Sequence, residues 1–302
     1  MLRAQLHMHT TESRGTRIKY DSVIRPKDAV DILSKSEVDA VVVTDHNTTR
    51  AYKKMRAYAK GRPLIIINGI EIGTTDGHVV GLGVSEGIDH KLKGRKMNAF
   101  EACDLIRDFN GEVYIPHPFD AQRKGLGIKI KEVNGIVEIF NPMNIFGFEN
   151  ELAYKVASKL GRPKAVGADA HSPTLLDTCL TCVDSIPEEY SIIKALKGEE
   201  VSFENCRYMT LQEMKNWILR RMQFSYLSTM DKITNGWQDD VWYMKLANNW
   251  FLRKLEKISL EVGVRNPESK AWDLVSCISY SFAAITSKQT KKHYSLGLER
   301  LL

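Results

Sequence analysis

The sequence predicts an α/β fold over residues 1–205, followed by an all-α module over residues 206–302. In the first part, short apolar runs alternate with amphipathic stretches of helical length, which is the pattern of a parallel sheet with crossover helices. Eight strand candidates occur there, and this number favours a barrel over an open sheet. After Tyr208 the strand-like alternation stops and helical periodicity dominates.

The predicted strands are short and rich in aliphatic residues, as strands buried on both faces are. They cover Arg3–His9, Asp39–Thr44, Leu64–Ile72, His78–Val84, Glu112–Ile115, Gly135–Phe140, Lys164–Gly167 and Thr178–Val183. The helices predicted between most of them cover Pro26–Ser36, Thr48–Lys60, Asn98–Phe109, Phe148–Leu160 and Pro187–Lys197. Pro26 suits the first turn of a helix, while Gly61 and Gly161 stand where a left-handed residue commonly follows the last turn.

The second part carries the charge of the chain. Residues 207–302 hold 15 Lys and Arg against 9 Asp and Glu, which accounts for the whole formal charge of +6. A helical bundle that packs on the barrel, or on a second subunit in a homo-oligomer, is the simpler interpretation. A surface that binds nucleic acid is the alternative. The helices predicted here are Leu211–Leu227, Asp240–Leu260, Lys270–Ile285 and Lys291–Leu302.

Composition excludes several classes of protein. A hydrophobic content of 43% with 26% charged residues is ordinary for a globular chain with a core. No apolar run approaches the roughly 20 residues that span a bilayer, and no signal peptide is expected. Five cysteines are odd in number and sparse, so we expect a cytoplasmic protein without a disulfide framework. No glycine-rich nucleotide cradle follows any predicted strand.

Histidines and carboxylates cluster at or beside the ends of the predicted strands. His7 and His9 close the first strand at alternate positions, so both side chains project from one face. In a parallel barrel the carboxyl ends of the strands form one rim, where functional side chains converge. Neutral imidazole and carboxylate suit Zn²⁺, Mn²⁺ or Fe²⁺, with Mg²⁺ as a further option, and so many candidates predict two or three ions. The other candidates are His46, Glu71, His78, His117, Asp169 and His171.

The order LHMHT…TDH…GIE…H…PHP…DAH resembles the PHP (polymerase and histidinol phosphatase) phosphoesterases across residues 1–205. This resemblance implies a distorted TIM-like (β/α)7 barrel with a trinuclear metal centre on its rim. It implies that a first ion is held by His7, His9, Glu71 and Asp169. A second ion would share Glu71 and take His78 and His117. A third would take His46 and His171 together with one further acid.

The sequence departs from the family at that further acid. Many relatives have Asp or His a few residues past the second histidine, where this chain has Ser13-Arg14-Gly15. Arginine cannot ligate a metal. Glu12 and Asp21 are the nearest acids, and the interpretation favours Asp21, with residues 15–20 as an inserted loop.

The predicted activity is hydrolysis of a small phosphomonoester by metal-activated water, with Glu71 as a bridging ligand. His117, Asp169 and His171 complete the predicted catalytic set. The other roles predicted are a supporting one for Asp45, beside His46, and phosphate binding for Arg123 and Lys124.

Three alternatives remain open. One is a nuclease that acts on oligonucleotides or RNA ends with the basic module as a handle. Another is a non-catalytic metal-binding or regulatory protein. The last is a hydrolase of C–N or C–O bonds, although no strand-end lysine stands where many such barrels carboxylate one.

Overall fold

The computed structural model describes residues 1–14, 21–120, 123–144, 147–198 and 200–234. Within these ranges the chain forms one unit over Met1–Met209 and enters a second unit at Thr210. The described strands are β1 (Leu2–Met8), β2 (Ala40–Val43), β3 (Ile65–Gly73), β4 (His78–Leu82), β5 (Glu112–Ile115), β6 (Ile136–Phe140), β7 (Lys164–Val166), β8 (Leu180–Val183) and β9 (Val201–Glu204).

The helices of the first unit connect these strands as predicted, with one addition. They are α1 (Pro26–Leu33), α2 (Arg50–Ala59), α3 (Ile88–Leu92), α4 (Ala99–Asp108), α5 (Phe148–Lys159) and α6 (Glu189–Ala195). The short α3 was not predicted. Pro26 opens α1, and the left-handed Gly61 (φ +78°) and Gly161 (φ +61°) follow α2 and α5. Asn98 and Glu101 form a capping box at the start of α4.

The sheet is mixed, so the expectation of a wholly parallel arrangement was wrong. The nine described strands are ordered β7-β6-β5-β4-β3-β2-β1-β8-β9. Strands β1 to β3 are parallel, as are β5 to β7, but β4 runs antiparallel to both of its neighbours, and β8 runs antiparallel to β1 and β9. A tight turn, in which the Thr74 amide donates to the Gly77 carbonyl (3.0 Å), joins β3 to β4. A parallel neighbour would need a crossover of about a dozen residues, and this turn leaves no room for one.

Side chains nearly close the sheet into a barrel between β7 and β8. The Thr181 hydroxyl accepts from the Val166 amide (2.9 Å) and donates to the Val166 carbonyl (3.0 Å). The buried Gln5 accepts from the Ala168 amide (3.1 Å) and donates to the Thr178 carbonyl (2.7 Å). Two side chains therefore satisfy backbone groups that a continuous ladder would otherwise pair.

An apolar core fills the barrel and fixes the strands that carry the candidate ligands. It includes Leu6 of β1, Val42 of β2, Ile67 of β3 and Leu82 of β4, each fully buried. Fully burying one such side chain stabilises the fold by about 1.5–3 kcal/mol. The strand β9 was not predicted, because its Val201-Ser-Phe-Glu sequence is short and mostly exposed.

The second unit is described as far as Thr234. Its helix α7 (Leu211–Thr234) begins where predicted and continues past Leu227. The Thr210 hydroxyl accepts from the Glu213 amide (3.2 Å), and the Glu213 carboxylate accepts from the Thr210 amide (2.9 Å), which forms a capping box. The helices predicted over 240–260, 270–285 and 291–302 lie outside the described residues. Over the part of the chain that is described, no helix is both long and apolar enough to cross a membrane.

Candidate metal centre

The strand ends bring the candidate ligands to one rim of the barrel. His7 lies in β1 and His9 just after it, His46 follows β2, and Glu71 lies near the end of β3. His78 is the first residue of β4, and the register pairs it with Gly73. Because β4 runs antiparallel, its amino end lies at the same edge as the carboxyl end of β3. The reversal of β4 thus brings His78 to the rim instead of removing it.

Three residues at this rim have left-handed backbone conformations without being glycine. They are Asn47 (φ +53°), His117 (φ +27°) and Asp169 (φ +47°). Such conformations are uncommon for side-chain-bearing residues and cluster at functional sites, where surrounding contacts maintain them. The backbone of His117 has such a contact, since its amide donates to Glu138 Oε2 (2.6 Å).

Glu71 is the centre of the cluster. Its carboxylate is buried, and neither oxygen has a hydrogen-bond partner. Five imidazole nitrogens nevertheless lie close to it: His78 Nδ1 at 2.7 Å, His9 Nε2 at 3.1 Å, His46 Nδ1 at 3.2 Å, His117 Nε2 at 3.3 Å and His7 Nε2 at 3.6 Å. Ligand atoms bound at about 2.1 Å to one tetrahedral ion stand about 3.4 Å apart. The spacing fits a shared metal.

Asp169 gathers a second set of imidazoles. Its Oδ1 lies 3.2 Å from His9 Nε2, 3.4 Å from His7 Nε2 and 3.3 Å from His171 Nδ1. Its Oδ2 accepts from Arg123 Nη1 at 2.7 Å. One oxygen therefore faces the histidines while a guanidinium holds the other.

The structure places Asp21, and not Glu12, beside the histidines. Asp21 Oδ2 lies 2.8 Å from His171 Nε2 and 3.1 Å from His46 Nε2. Glu12 instead pairs with Lys54 at the surface.

All nine candidate ligands thus belong to one cluster, although they group differently from the pattern that the resemblance implies. His7 lies with Glu71 and His117 as well as with His9 and Asp169, and His46 lies with Glu71 and His78. His9 joins Asp21, His46 and His171 in a further group. Within each group the ligand atoms lie within 4.8 Å of one another. The assignment of each residue to an ion stays a prediction.

Comparison with known sequences finds an archaeal relative. No family model matches the chain. It is 31% identical over 157 residues to the uncharacterized protein MJ1587 of Methanocaldococcus jannaschii, a match that covers 50% of this chain and 89% of that protein. The chain belongs to the same family as MJ1587. The uncharacterized protein MJ0417 of the same organism is 26% identical over 179 residues, which cover 56% of this chain and 65% of that protein.

Comparison with solved structures identifies the fold. A two-domain protein from Bacteroides vulgatus, described as containing a predicted PHP-like metal-dependent phosphoesterase, matches with a TM-score of 0.55 and 15% identity. The match covers 72% of this chain and 69% of that one. PsfC from Pseudomonas syringae matches with a TM-score of 0.50 and 14% identity over 75% of this chain and 99% of its own. The resemblance to the PHP phosphoesterases is thereby confirmed at the level of the fold.

Neighbouring charges set the protonation of the cluster. Burial disfavours charge on His9, yet the carboxylates of Asp169 and Glu71 raise its pKa from 6.5 to about 10. Burial likewise opposes protonation of His7, but Asp169 and Glu138 raise its pKa well above the usual value. Burial alone would raise the pKa values of the Glu71 and Asp169 carboxyl groups, but nearby histidines hold both pKa values well below their usual range. In the metal-free protein, protons therefore balance the buried carboxylates, and an incoming cation must displace them.

Glu138 supports the cluster by contacts with His7 and His117, and it was not predicted from the sequence. Its carboxylate lies 2.9 Å from His7 Nδ1 and accepts from the Tyr114 hydroxyl (2.8 Å) and from Asn141 Nδ2 (3.0 Å), in addition to the His117 amide. A carboxylate on Nδ1 fixes the orientation of a ligating imidazole and directs its Nε2 forward. A glutamate within the apolar strand Ile136–Phe140 was the signal available in the sequence.

Gly167 leaves the space that this carboxylate fills. A Cβ at position 167 would collide with Glu138 Oε1 and would lie 2.7 Å from the Tyr114 hydroxyl and 2.8 Å from the His7 Cβ. Real Cβ atoms do not approach other atoms so closely. The arrangement of Glu138, Tyr114 and His7 therefore requires glycine at this position.

Asp45 supports the cluster through the turn after β1. Its carboxylate accepts from the Thr10 amide, the Thr10 hydroxyl (2.6 Å) and the Ser13 hydroxyl (2.9 Å). The Ser13 oxygen in turn lies 3.5 Å from His9 Nδ1. Burial raises the pKa of Asp45, and these donors oppose that rise.

The two predicted phosphate-binding cations have different surroundings. Arg123 reaches the cluster, where Asp120, Asp169, Asn141 and Asn144 all accept from its guanidinium. Lys124 is exposed, and its backbone carbonyl accepts a hydrogen bond from the His78 amide (2.8 Å). Their predicted contact with phosphate stays a prediction. Asp120, Asn141 and Asn144 were not anticipated.

Proposed function

We propose that this chain is a metal-dependent phosphoesterase that hydrolyses a small phosphomonoester at the rim cluster. The observation that carries the proposal is the Glu71 carboxylate, which is 1% exposed, has no hydrogen-bond partner and stands among five imidazole nitrogens. Five imidazole nitrogens that approach a buried carboxylate at these distances without hydrogen-bond geometry are arranged as ligands around a shared cation would be, and such a cation would compensate the charge. The PHP-like fold supports chemistry at phosphorus rather than at carbon.

The donor set fits two or three divalent ions. Imidazole and carboxylate donors suit Zn²⁺, Mn²⁺ or Fe²⁺. When bound, such ions supply Lewis acidity and lower the pKa of a bound water to about 7. Among the described residues the cluster consists of His, Asp and Glu side chains, without lysine. The residues that would hold the ions are His7, His9, Asp21, His46, Glu71, His78, His117, Asp169 and His171.

The residues of the cluster have distinct roles in this proposal. Glu71 has two free oxygens that face different histidines, which suits a bridging ligand. Arg123 holds one oxygen of Asp169, so that the other stays directed at His7, His9 and His171. The guanidinium donates all five of its N–H groups to protein acceptors, so contact between Arg123 and a substrate phosphate would require one of these bonds to be exchanged. Glu138 and Asp45 position His7 and the turn after His9.

Metal analysis and an activity assay together test the proposal. Elemental analysis of the purified protein measures bound ions. After addition of Mn²⁺, Zn²⁺, Fe²⁺ or Mg²⁺, phosphate release is measured on sugar phosphates and nucleotides, and chain cleavage is measured on short oligonucleotides. We expect bound metal and metal-dependent release from a small monoester. Preferred cleavage of the oligonucleotides would favour the nuclease alternative.

A pair of glutamate variants makes the assay specific. Glu71→Gln keeps the shape of the side chain but removes its charge, and we expect phosphate release to fall by about 10³-fold with loss of bound metal. Glu151→Gln, at an exposed position of α5, is the matched control and should behave as wild type. A folded Glu71→Gln protein with wild-type metal content and turnover would contradict the proposal.

A further inference from the structure

A groove of about 790 Å³ lies beside the cluster, and none of the nine candidate ligands lines it. Its near wall consists of residues that directly follow candidate ligands: Asn47 after His46, and Ile72 and Gly73 after Glu71. Its far wall contains α3 and the residues that follow it, up to Met97. The groove is therefore built on the same strand ends as the cluster.

The groove adjoins the side on which the cluster is open to solvent. The side chains of Asp21, His78 and His46 are 17%, 13% and 10% exposed, whereas those of His7 and Glu71 are at most 1% exposed. Gly73, which lines the groove, is the strand partner of His78. A substrate that reaches the cluster through this opening thus lies next to the groove.

The side chain of Asn47 connects the groove wall to the segments that follow the candidate ligands. Asn47 Oδ1 accepts from the Gly73 amide (3.1 Å), and Asn47 Nδ2 donates to the Arg14 carbonyl (3.1 Å). The Asn47 amide donates to the Glu71 carbonyl (2.9 Å). Asn47 therefore links the segments that follow His9, His46 and Glu71, and so ties the groove wall to the cluster.

The groove has an excess of positive charge, although residues 1–206 as a whole have no net charge. Residues 1–206 contain equal numbers of basic and acidic residues, 28 of each. The lining of the groove has five basic side chains against two acidic ones, Glu86 and Asp89. Glu86 pairs with Lys53 at 2.8 Å. Within the described ranges, Arg50, Lys93 and Arg95 have no carboxylate within ion-pair distance. Such a concentration of one sign attracts anions.

We propose that this groove binds a second phosphate of the substrate, while the phosphate to be hydrolysed lies at the cluster. The preferred substrate is then a small molecule with at least two phosphate groups. Arg50 and Arg95 recognise the second group, since a guanidinium binds phosphate oxygens in pairs. This inference rests on the proposed phosphoesterase activity.

Kinetics on two substrates that differ by one phosphate test the inference. The pair is fructose 6-phosphate and fructose 1,6-bisphosphate, assayed with wild type, Arg50→Ala, Arg95→Ala and the double variant. Wild type should prefer the bisphosphate by at least about tenfold in kcat/KM, as charged hydrogen bonds allow. The arginine variants should lose that preference through KM and should retain wild-type activity on the monophosphate. Lys35→Ala, an exposed cation outside the groove, is the control.

Calorimetry separates this inference from the proposed function. Binding of fructose 1,6-bisphosphate to the metal-free protein should weaken in the arginine variants and should stay unchanged in Lys35→Ala. Absence of turnover on every phosphoester would refute the proposed function, while the calorimetry would still test the groove. Equal use of both sugars by wild type, with no effect of the arginine variants, would overturn the inference. A preference for a short oligonucleotide over the bisphosphate would overturn its assignment to a small molecule.

Discussion

Two buried glutamates at the rim of the barrel show how one residue type takes two roles. Glu71 in β3 and Glu138 in β6 are both about 1% exposed. Glu138 has four hydrogen-bonding neighbours and leaves neither oxygen unpartnered, whereas Glu71 has no hydrogen bond on either oxygen. Burial is thus the same at both positions, but the polar environment differs. A satisfied carboxylate supports its neighbours, and an unsatisfied one marks where a cation belongs.

Removal of metal should give the largest difference between the two positions. Free metal at 1,000 times its Kd stabilises a protein by about 4 kcal/mol, because only the folded state binds it. At the same free metal concentration, we expect this full rise in the free energy of unfolding for wild type, a smaller rise for Glu138→Gln and none for Glu71→Gln. Chemical denaturation with Mn²⁺ and with a chelator measures it. Equal stabilisation of Glu71→Gln and wild type would remove the distinction between the glutamates.

Substitution of Glu138 should weaken metal binding less than substitution of Glu71 does. Glu138→Gln replaces an acceptor of four donors by an amide, so His7 loses the group that orients it. We expect metal affinity to fall about 10–100-fold, as for other groups that position a ligand. Tyr114→Phe removes one of the donors and should cost only about 0.5–1.5 kcal/mol of stability. Titration of metal-free Glu138→Gln with Mn²⁺ gives its affinity, and chemical denaturation gives the stability of Tyr114→Phe. An unchanged Kd for Glu138→Gln would contradict the positioning role.

The dependence of stability on pH should also separate the glutamates. The raised pKa of His9 means that its protonation stabilises the metal-free protein fully below pH 6.5, and that this stabilisation is lost as the pH rises through about 10. Metal affinity should rise over the same range, by about tenfold per pH unit for each proton displaced. Melting temperatures between pH 6 and 10, with and without metal, test both slopes.

The two variants should respond differently to this pH scan. Glu71 is one of the groups that raise the pKa of His9, and Glu138 is not among the principal ones. Glu71→Gln should therefore flatten the pH dependence of the metal-free protein, while Glu138→Gln should leave most of it. The same slope in both variants would show that His9 does not respond to Glu71.

The sequence allowed the ligands to be predicted but not all of their supports. The ligands could be predicted because they lie at the ends of apolar runs that read as strands, as His7, His9 and Glu71 do. Alternation of side chains along a strand then places His7 and His9 on one face. Glu138 in β6 lies five strands from β1 in the sheet order and was missed, because its contact with His7 spans 131 positions of sequence. Local patterns carry no information about such a distant contact.

The reversal of β4 could be predicted only in part. Thr74-Thr-Asp-Gly77 is a turn sequence, and a turn this short implies an antiparallel neighbour. The alternation of strands and helices on either side outweighed that signal. The groove was missed as well, because it depends on the short α3, whose five residues give no clear period. The cytoplasmic location and the homo-oligomer stay predictions.

The junction between β7 and β8 has a consequence for how the barrel tolerates mutation. Backbone ladders survive almost any substitution, because every residue except proline supplies the same donor and acceptor. At this junction the hydroxyl of Thr181 and the amide of Gln5 add to the backbone bonds that join the end of β1 to Ala170, in the segment after β7. A single nucleotide change that replaces either side chain removes bonds that the backbone of the new residue cannot restore, which lowers the genetic robustness of the barrel at this seam.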